Sequence, residues 1–246
     1  MDPLTALAAS GMRSRMESLD IIANNLANAG SPGFKADREF LGLYLSAGAN
    51  ASSQGTDLAS QPINERHWTD FSQGSLTSTE NPMNVAIGGK GFFAVESPSG
   101  TLFTRDGSFR MSPQGVLQTQ EGYAIRGSDG KHIEVDPSKA IEIGTEGQIR
   151  QDGRDVARLE VVDFADAHAL GKQGQNYFQL SVSGTQPISA SGAEIIQGKL
   201  ESANVQPAES AVRLITVMRQ FESLQKAMSL GMDMNRKTLE DVARVG

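Results

Sequence analysis

The stretch DPLTALAASGMRSRMESLDIIANNLANAGSPG, residues 2–33, reads as one long helix followed by a stop. Asp2 supplies an N-cap, and Pro3 suits the first helical position, where an N–H would have no partner anyway; Gly30-Ser31-Pro32-Gly33 ends the run. Met12, Met16, Leu19, Ile22, Ala23 and Leu26 recur at three- and four-residue spacing and lay one apolar stripe along it. About 28 residues at 1.5 Å each span roughly 40 Å, which is long for a helix inside a globular core. Asn24, Asn25 and Asn28 each cost a few tenths of a kcal/mol against Ala in a helix. Asn24, Asn28 and Asp20 project away from the stripe, so the polar face is either solvated or reserved for a second kind of neighbour.

The other end of the chain behaves in the same way. A helix starting near Pro207, with Glu209 in the first turn to complement the helix dipole, carries Leu214, Val217, Phe221, Leu224 and Met228 in alternating three- and four-residue steps. That is a coiled-coil-like seam, and it makes the two terminal helices natural partners. Ile215, Leu230 and Met234 fall outside it, so one partner helix cannot cover all the apolar residues.

Between the helices the period changes. Val85 to Ile87, Gly91 to Val95, Leu102 to Thr104, Val116 to Gln118 and Tyr123 to Arg126 are strand-length apolar or β-branched runs. Pro98-Ser99-Gly100, Arg105-Asp106-Gly107, Pro113-Gln114-Gly115, Ser128-Asp129-Gly130 and Glu146-Gly147 separate them with turn chemistry that favours hairpins. The fold class expected is α+β: long N- and C-terminal helices paired in a coiled-coil-like domain, with a mostly antiparallel β domain between them. Residues 1–35 and 205–246 would form the helical assembly domain, 36–83 a linker and extended segment, and 84–204 the β-rich domain. Within the linker, residues 46–61 are small and polar.

Composition narrows the function. A net charge of −7, with no basic cluster, argues against a nucleic-acid partner, since phosphate binding rests on many Lys and Arg contacts. With no cysteine in the chain, disulfides, thiolate catalysis and Cys-bound zinc drop out. The start, acidic at Asp2 and without Lys or Arg before Arg13, is unlike a Sec signal, and the longest apolar runs are too short to enter a bilayer. Direct membrane insertion is therefore not expected.

Enzymatic constellations are thin. His67, His132 and His168 are widely separated, and the compact group Asp163, Asp166 and His168 sits where a strand runs into a loop, a poor metal site. Gly88-Gly89-Lys90-Gly91 lacks the Gly-Lys-Ser/Thr of a P-loop and reads as a turn. No catalytic, cofactor-binding or metal residue is assigned, and no cofactor is expected.

Four blocks carry a resemblance. Ile21-Ile22-Ala23-Asn24-Asn25-Leu26-Ala27-Asn28 followed by Gly30-Ser31-Pro32-Gly33-Phe34-Lys35 is similar to the N-terminal signature of the flagellar rod and hook proteins. Asn84 to Phe93, Phe103 to Phe109 and Leu200 to Val205 agree with the same family in the same order. Within it, the length and the Met1-Asp2 start look most like the proximal-rod members, with the distal rod second.

The resemblance implies an inner domain of paired terminal helices polymerised into a tube, an outer β-rich domain and a periplasmic place in the basal body. It also implies export through the flagellar type III apparatus without a cleaved signal peptide, with other rod proteins and copies of itself as partners. The assembly interface expected is Leu19, Ile22, Asn24, Asn25, Leu26 and Asn28 on the first helix, with Leu214, Val217, Phe221, Leu224 and Met228 on the last; Gly30, Pro32, Gly33 and Phe34 would form a hinge. The competing reading is a secreted carbohydrate-binding or adhesin-like β domain with helical flanks, for which one Trp and three Tyr offer little aromatic platform.

Overall fold

The computed structural model describes residues 3–44, 61–174, 176–181 and 186–245. The chain is α+β, with a helix near each end and mostly antiparallel sheets between them. The small polar stretch 46–61 lies outside the described residues apart from Gln61. By its contacts the chain divides into two compact units, residues 1–27, 37–68 and 206–246 in one, residues 28–36 and 69–205 in the other.

The first unit holds helix α1 (Pro3–Ala27), the two-stranded sheet of β1 (Asp37–Tyr44) and β2 (Gln61–Thr69), and helix α2 (Pro207–Val245). Both helices begin with proline, and Glu209 sits in the first turn of α2. α1 lies against α2, and a Cβ placed on Gly11 would be 3.5 Å from Leu224 Cδ1. Ser18 of α1 and Arg213 of α2 both reach the carboxylate of Glu39 on β1. Moving from Ser18 back to Gly11 on α1 therefore corresponds to moving forward from Arg213 to Leu224 on α2, and the two helices run antiparallel.

The β-rich unit is built around β5 (Phe92–Ser97), paired with β6 (Gly100–Thr104), β9 (Ala124–Ile125) and β13 (Val161–Asp163). The sheet runs on through β14 (Leu170–Gln173) and β15 (Tyr177–Leu180) beyond β6, and through β8 (Leu117–Gln118) and β7 (Arg110–Met111) beyond β9. Strand alternation sends Phe93 and Val95 into one core with Ile87, Leu117 and Ile125, and Phe92 and Ala94 into another with Phe103, Phe164 and Phe178. The run Phe92–Val95 is continuously apolar because both faces of β5 are buried. Two short ladders bring distant sequence together: β17 (Glu194–Gln197) pairs with β4 (Val85–Gly88), and β18 (Lys199–Glu201) pairs with β3 (Leu76–Ser78).

The expected turns at Pro98-Ser99, Pro113 to Gly115, Ser128 to Gly130 and Glu146-Gly147 do reverse the chain between antiparallel partners. Asp106-Gly107 does not make a hairpin. There Gly107 O accepts from Val85 N at 3.0 Å, and a Cβ on Gly107 would stand 1.6 Å from Val85 O, so the glycine serves a close backbone approach.

Gly107→Ala should lower stability by about 3 kcal/mol, because backbone must move to admit the methyl. Gly11→Ala meets only an ordinary 3.5 Å contact and should stabilise α1 by about 1 kcal/mol through helix propensity. Urea titration of the full chain measures both; a stable Gly107→Ala protein or a weakened Gly11→Ala protein would contradict this packing.

Candidate assembly surface and a buried charged cluster

The face that α1 buries within its own unit is small and polar. Gly11, Ser14, Ser18 and Ile22 are buried, while Met12, Leu19 and Leu26 are half-buried and Met16 is 54% exposed. The buried line is rotated about a quarter turn from the expected apolar stripe, because glycine and serine let α2 come close while larger side chains cannot. The Ser18 hydroxyl donates to Glu39, and Arg213 Nη2 meets the same carboxylate at 2.6 Å, with the Glu39 side chain 5% exposed. One carboxylate thus fixes both helices against β1.

The asparagines divide. Asn25 Nδ2 donates to Asp37 O at 2.7 Å and its Oδ1 accepts from Asp37 N at 2.9 Å, a two-point bond that fastens β1 to the end of α1. Asn24 is exposed, and Asn28 is buried, its carbonyl accepting from Ser31 N at 3.0 Å. On α2, Val217 is buried and Leu214, Phe221, Leu224 and Met228 are half-buried in one line. Ile215, Leu230 and Met234 are 53%, 63% and 69% exposed, and Val212 is exposed with them.

The turn after α1 belongs to the β-rich unit. Gly33 has φ +69°, its N–H donates to Glu201 O at 2.7 Å, and a Cβ there would be 2.3 Å from Asp106 N. Phe34 is buried, with Lys172 Nζ 4.5 Å above its ring, and Asn176 Nδ2 donates to Pro32 O at 3.2 Å. Gly30 alone is exposed with open space around it.

Beside that turn lies a cluster that the sequence reading missed. Glu201 is buried, with Lys35 Nζ 2.6 Å from its Oε1 and Arg105 Nη1 3.1 Å from its Oε2, and Lys35 is fully buried. The remaining hydrogen-bonding capacity goes largely to backbone: Gly74 N–H donates to Glu201 Oε1 at 2.8 Å, Lys35 to Ser72 O at 2.7 Å, and Arg105 Nη2 to Gly89 O at 2.7 Å. Arg105 also stands over the Phe92 ring at 5.4 Å. Burial pushes the Lys35 ammonium and the Arg105 guanidinium below their ordinary values, while Glu201 pulls both back up.

Lys35, Arg105 and Glu201 each lay inside a block already singled out in the sequence, as did Ile87 and Gly89, so the four blocks converge on one site. Asp106, next along, accepts from Ser108 N at 2.9 Å, yet desolvation outweighs that bond and raises its pKa. Asp163 accepts from the adjacent Phe164 N–H, and Asp166 caps the short 3-10 turn by accepting from His168 N.

Three family descriptions match the chain. Residues 7–35 match "Flagella basal body rod protein", residues 86–151 "Flagellar hook protein FlgE/F/G D1 domain", and residues 196–240 "Flagellar basal body rod FlgEFG protein C-terminal". The flagellar basal-body rod protein FlgF of Caulobacter vibrioides is 31% identical over 246 residues, covering 100% of both chains. The FlgF of Mesorhizobium japonicum is 31% identical over 90% of each chain. The FlgG of Bacillus subtilis is 29% identical over 89% of this chain and 91% of its own.

Glu201→Gln leaves two cations buried without their anion and should cost about 3–5 kcal/mol. Lys35→Met keeps the Glu201–Arg105 pair and should cost less; the opposite order in urea titration would show that the anion is not the centre of the cluster. For Asp106, a raised folded-state pKa adds stability that is complete below the ordinary carboxylate value and is lost as pH rises through the raised one. The stability of the wild type minus that of Asp106→Asn should therefore fall from pH 4 upward; a flat or rising difference counts against a desolvated carboxyl.

Proposed function

This chain belongs to the flagellar rod and hook protein family, and from that premise we infer that it polymerises through its two terminal helices into the axial tube that transmits torque. It is a structural subunit of the flagellar basal-body rod and not an enzyme, and the FlgF relatives favour the proximal rod over the distal. It assembles with other flagellar rod components. Among the described residues no helix is long and apolar enough to cross a membrane.

The observation that carries the helical mode of assembly is on α2. One line of side chains, Leu214 to Met228, is buried or half-buried by the chain's own elements, while two apolar pairs, Val212 with Ile215 and Leu230 with Met234, stay exposed on the other side of the helix. A helix with more apolar surface than its own unit covers calls for further neighbours. We assign Leu214, Val217, Phe221, Leu224 and Met228, with Ile22, to a coiled-coil-like seam that holds the helix pair together, and Leu19 and Leu26, beside the line that α1 buries, to contacts with neighbouring subunits. Asn25 serves from within by fastening β1 to the end of α1, Asn28 is buried in the turn that follows, and Asn24 lies on the exposed side.

In this reading the helical assembly domain, expected over residues 1–35 and 205–246, is carried by residues 1–27 and 206–246, which fall in one compact unit. A hinge at Gly30, Pro32, Gly33 and Phe34 rests on Gly30, since Gly33 and Phe34 are held by the β-rich unit. Family membership supports export through the flagellar type III apparatus to the periplasmic part of the basal body. The net charge of −7 supports a role without nucleic acid.

Leu26→Asp and Phe221→Asp should each abolish swimming and leave basal bodies without this subunit, while circular dichroism of the purified chains still reports a folded β unit. Swimming cells carrying both changes would refute the helical mode.

A further inference from the structure

The exposed side of α1 is a shaped surface. Ala9, Met12, Arg13, Met16, Glu17 and Asp20, with Met228 at the border, line a groove of about 530 Å³ within the helical unit. Its floor is methionine and its rim carries charge. Arg13, Met16, Glu17 and Asp20 are all exposed, and Met12 is half-buried.

The back of α2 carries a matching stripe. Lys226, Leu230 and Asp233 are exposed and share one helix face, because their four- and three-residue steps keep them within a narrow arc opposite Val217 and Leu224. Taken in opposite directions, the two surfaces have the same spacing and opposite charge. Asp20, Met16 and Arg13 descend α1 by four and three residues, and Lys226, Leu230 and Asp233 ascend α2 by four and three. Each series covers about 10 Å of helix.

We propose that the groove on α1 of one copy receives the back of α2 of a second copy of this chain. The two helices run antiparallel, Asp20 meets Lys226, Met16 packs on Leu230 and Arg13 meets Asp233. This rests on the reading of the chain as a rod subunit and names the contact that joins like copies.

The occupant is chosen by complementarity. A partner helix must bring a cation, an apolar side chain and an anion at steps of four and three, and α2 of the same sequence does so on its exposed face. The chain's own α2 cannot supply it, because its Val217 and Leu224 side already faces inward. Antiparallel direction also fits: α1 and α2 run antiparallel within one copy, so neighbours of like polarity set α1 beside an antiparallel α2. Groove and back are different surfaces, so each copy can both receive and insert. The contact is heterologous, and repeated without closing into a ring, it yields an open chain of subunits.

Charge reversal tests the pairing in cells. Arg13→Asp with Asp20→Lys reverses the groove, and Lys226→Asp with Asp233→Arg reverses the back. Each pair of changes should abolish swimming, and all four in one chain should restore it, with unaltered urea midpoints showing that folding is not the cause. Because the sequence holds no cysteine, Met16→Cys with Leu230→Cys gives a clean second readout. Mild oxidation of basal bodies should produce disulfide-linked dimers and larger products of this chain.

Failure of the fourfold variant to swim, or basal bodies that contain the chain but yield only monomers on oxidation, overturns the contact. If that happens while Leu26→Asp and Phe221→Asp cells do not swim, the rod reading stands and only this interface falls. If those cells swim as well, the helical assembly reading fails with it.

Discussion

The carboxylate of Glu201 is the point on which the β-rich unit closes. It gathers an ammonium from residue 35, a guanidinium from residue 105 and a backbone N–H from residue 74, three parts of the chain that no local signal connects. Apolar packing could bury the same volume, but it tolerates sliding, whereas two charge-assisted bonds and a backbone bond define direction as well as distance. A cluster of two cations and one anion is costly to take out of water unless each polar atom is well placed. The close backbone approaches nearby answer that demand. Gly33 and Gly74 each lie where a Cβ would collide with neighbouring backbone, so the strands can draw near enough for the side chains to meet.

In the helical unit the constraint is reversed. Serine and glycine share the inner face of α1 with Ile22, while Met12, Leu19 and Leu26 are only half-buried and Met16 is left outside. A helix made to stand alone would do the opposite, since burying methionine and leucine is what stabilises packed helices. Glu39 compensates in part by binding Ser18 and Arg213 at once, which fixes α1 and α2 through one buried acceptor. The arrangement keeps the pair ordered with modest apolar burial and holds the remaining apolar surface for other subunits.

Much of this architecture is legible in the sequence. The start of both helices follows from Pro3 and Pro207, and β4, β5 and β6 coincide with the apolar runs read from residues 85, 91 and 102. Chemistry in these segments is local, so local reading suffices. The inner face of α1 was not legible, because periodicity assigns burial to apolar residues and this face is built from Gly11, Ser14 and Ser18. Nor was the Lys35, Arg105 and Glu201 cluster. Its members are separated by up to 166 positions, and a single sequence does not report which distant charges meet. Lys35, Arg105 and Glu201 each fall in a family block, but side chains of these types are mostly exposed and become fully buried almost only when paired, and the pairing is what the sequence does not show.

The location of Glu201 along the chain also sets the order in which the protein can mature. β3 and β4 are completed by β18 and β17, more than 100 residues further on, so the native contacts of this unit are strongly non-local. Such topologies fold slowly, because long loops must close before any of these contacts forms. A ribosome has to deliver residue 201 of 246 before Lys35 and Arg105 can find their anion. Local hairpins such as β5 with β6 can form earlier, but the buried cluster and the two ladders that close the unit wait for residues 194–201.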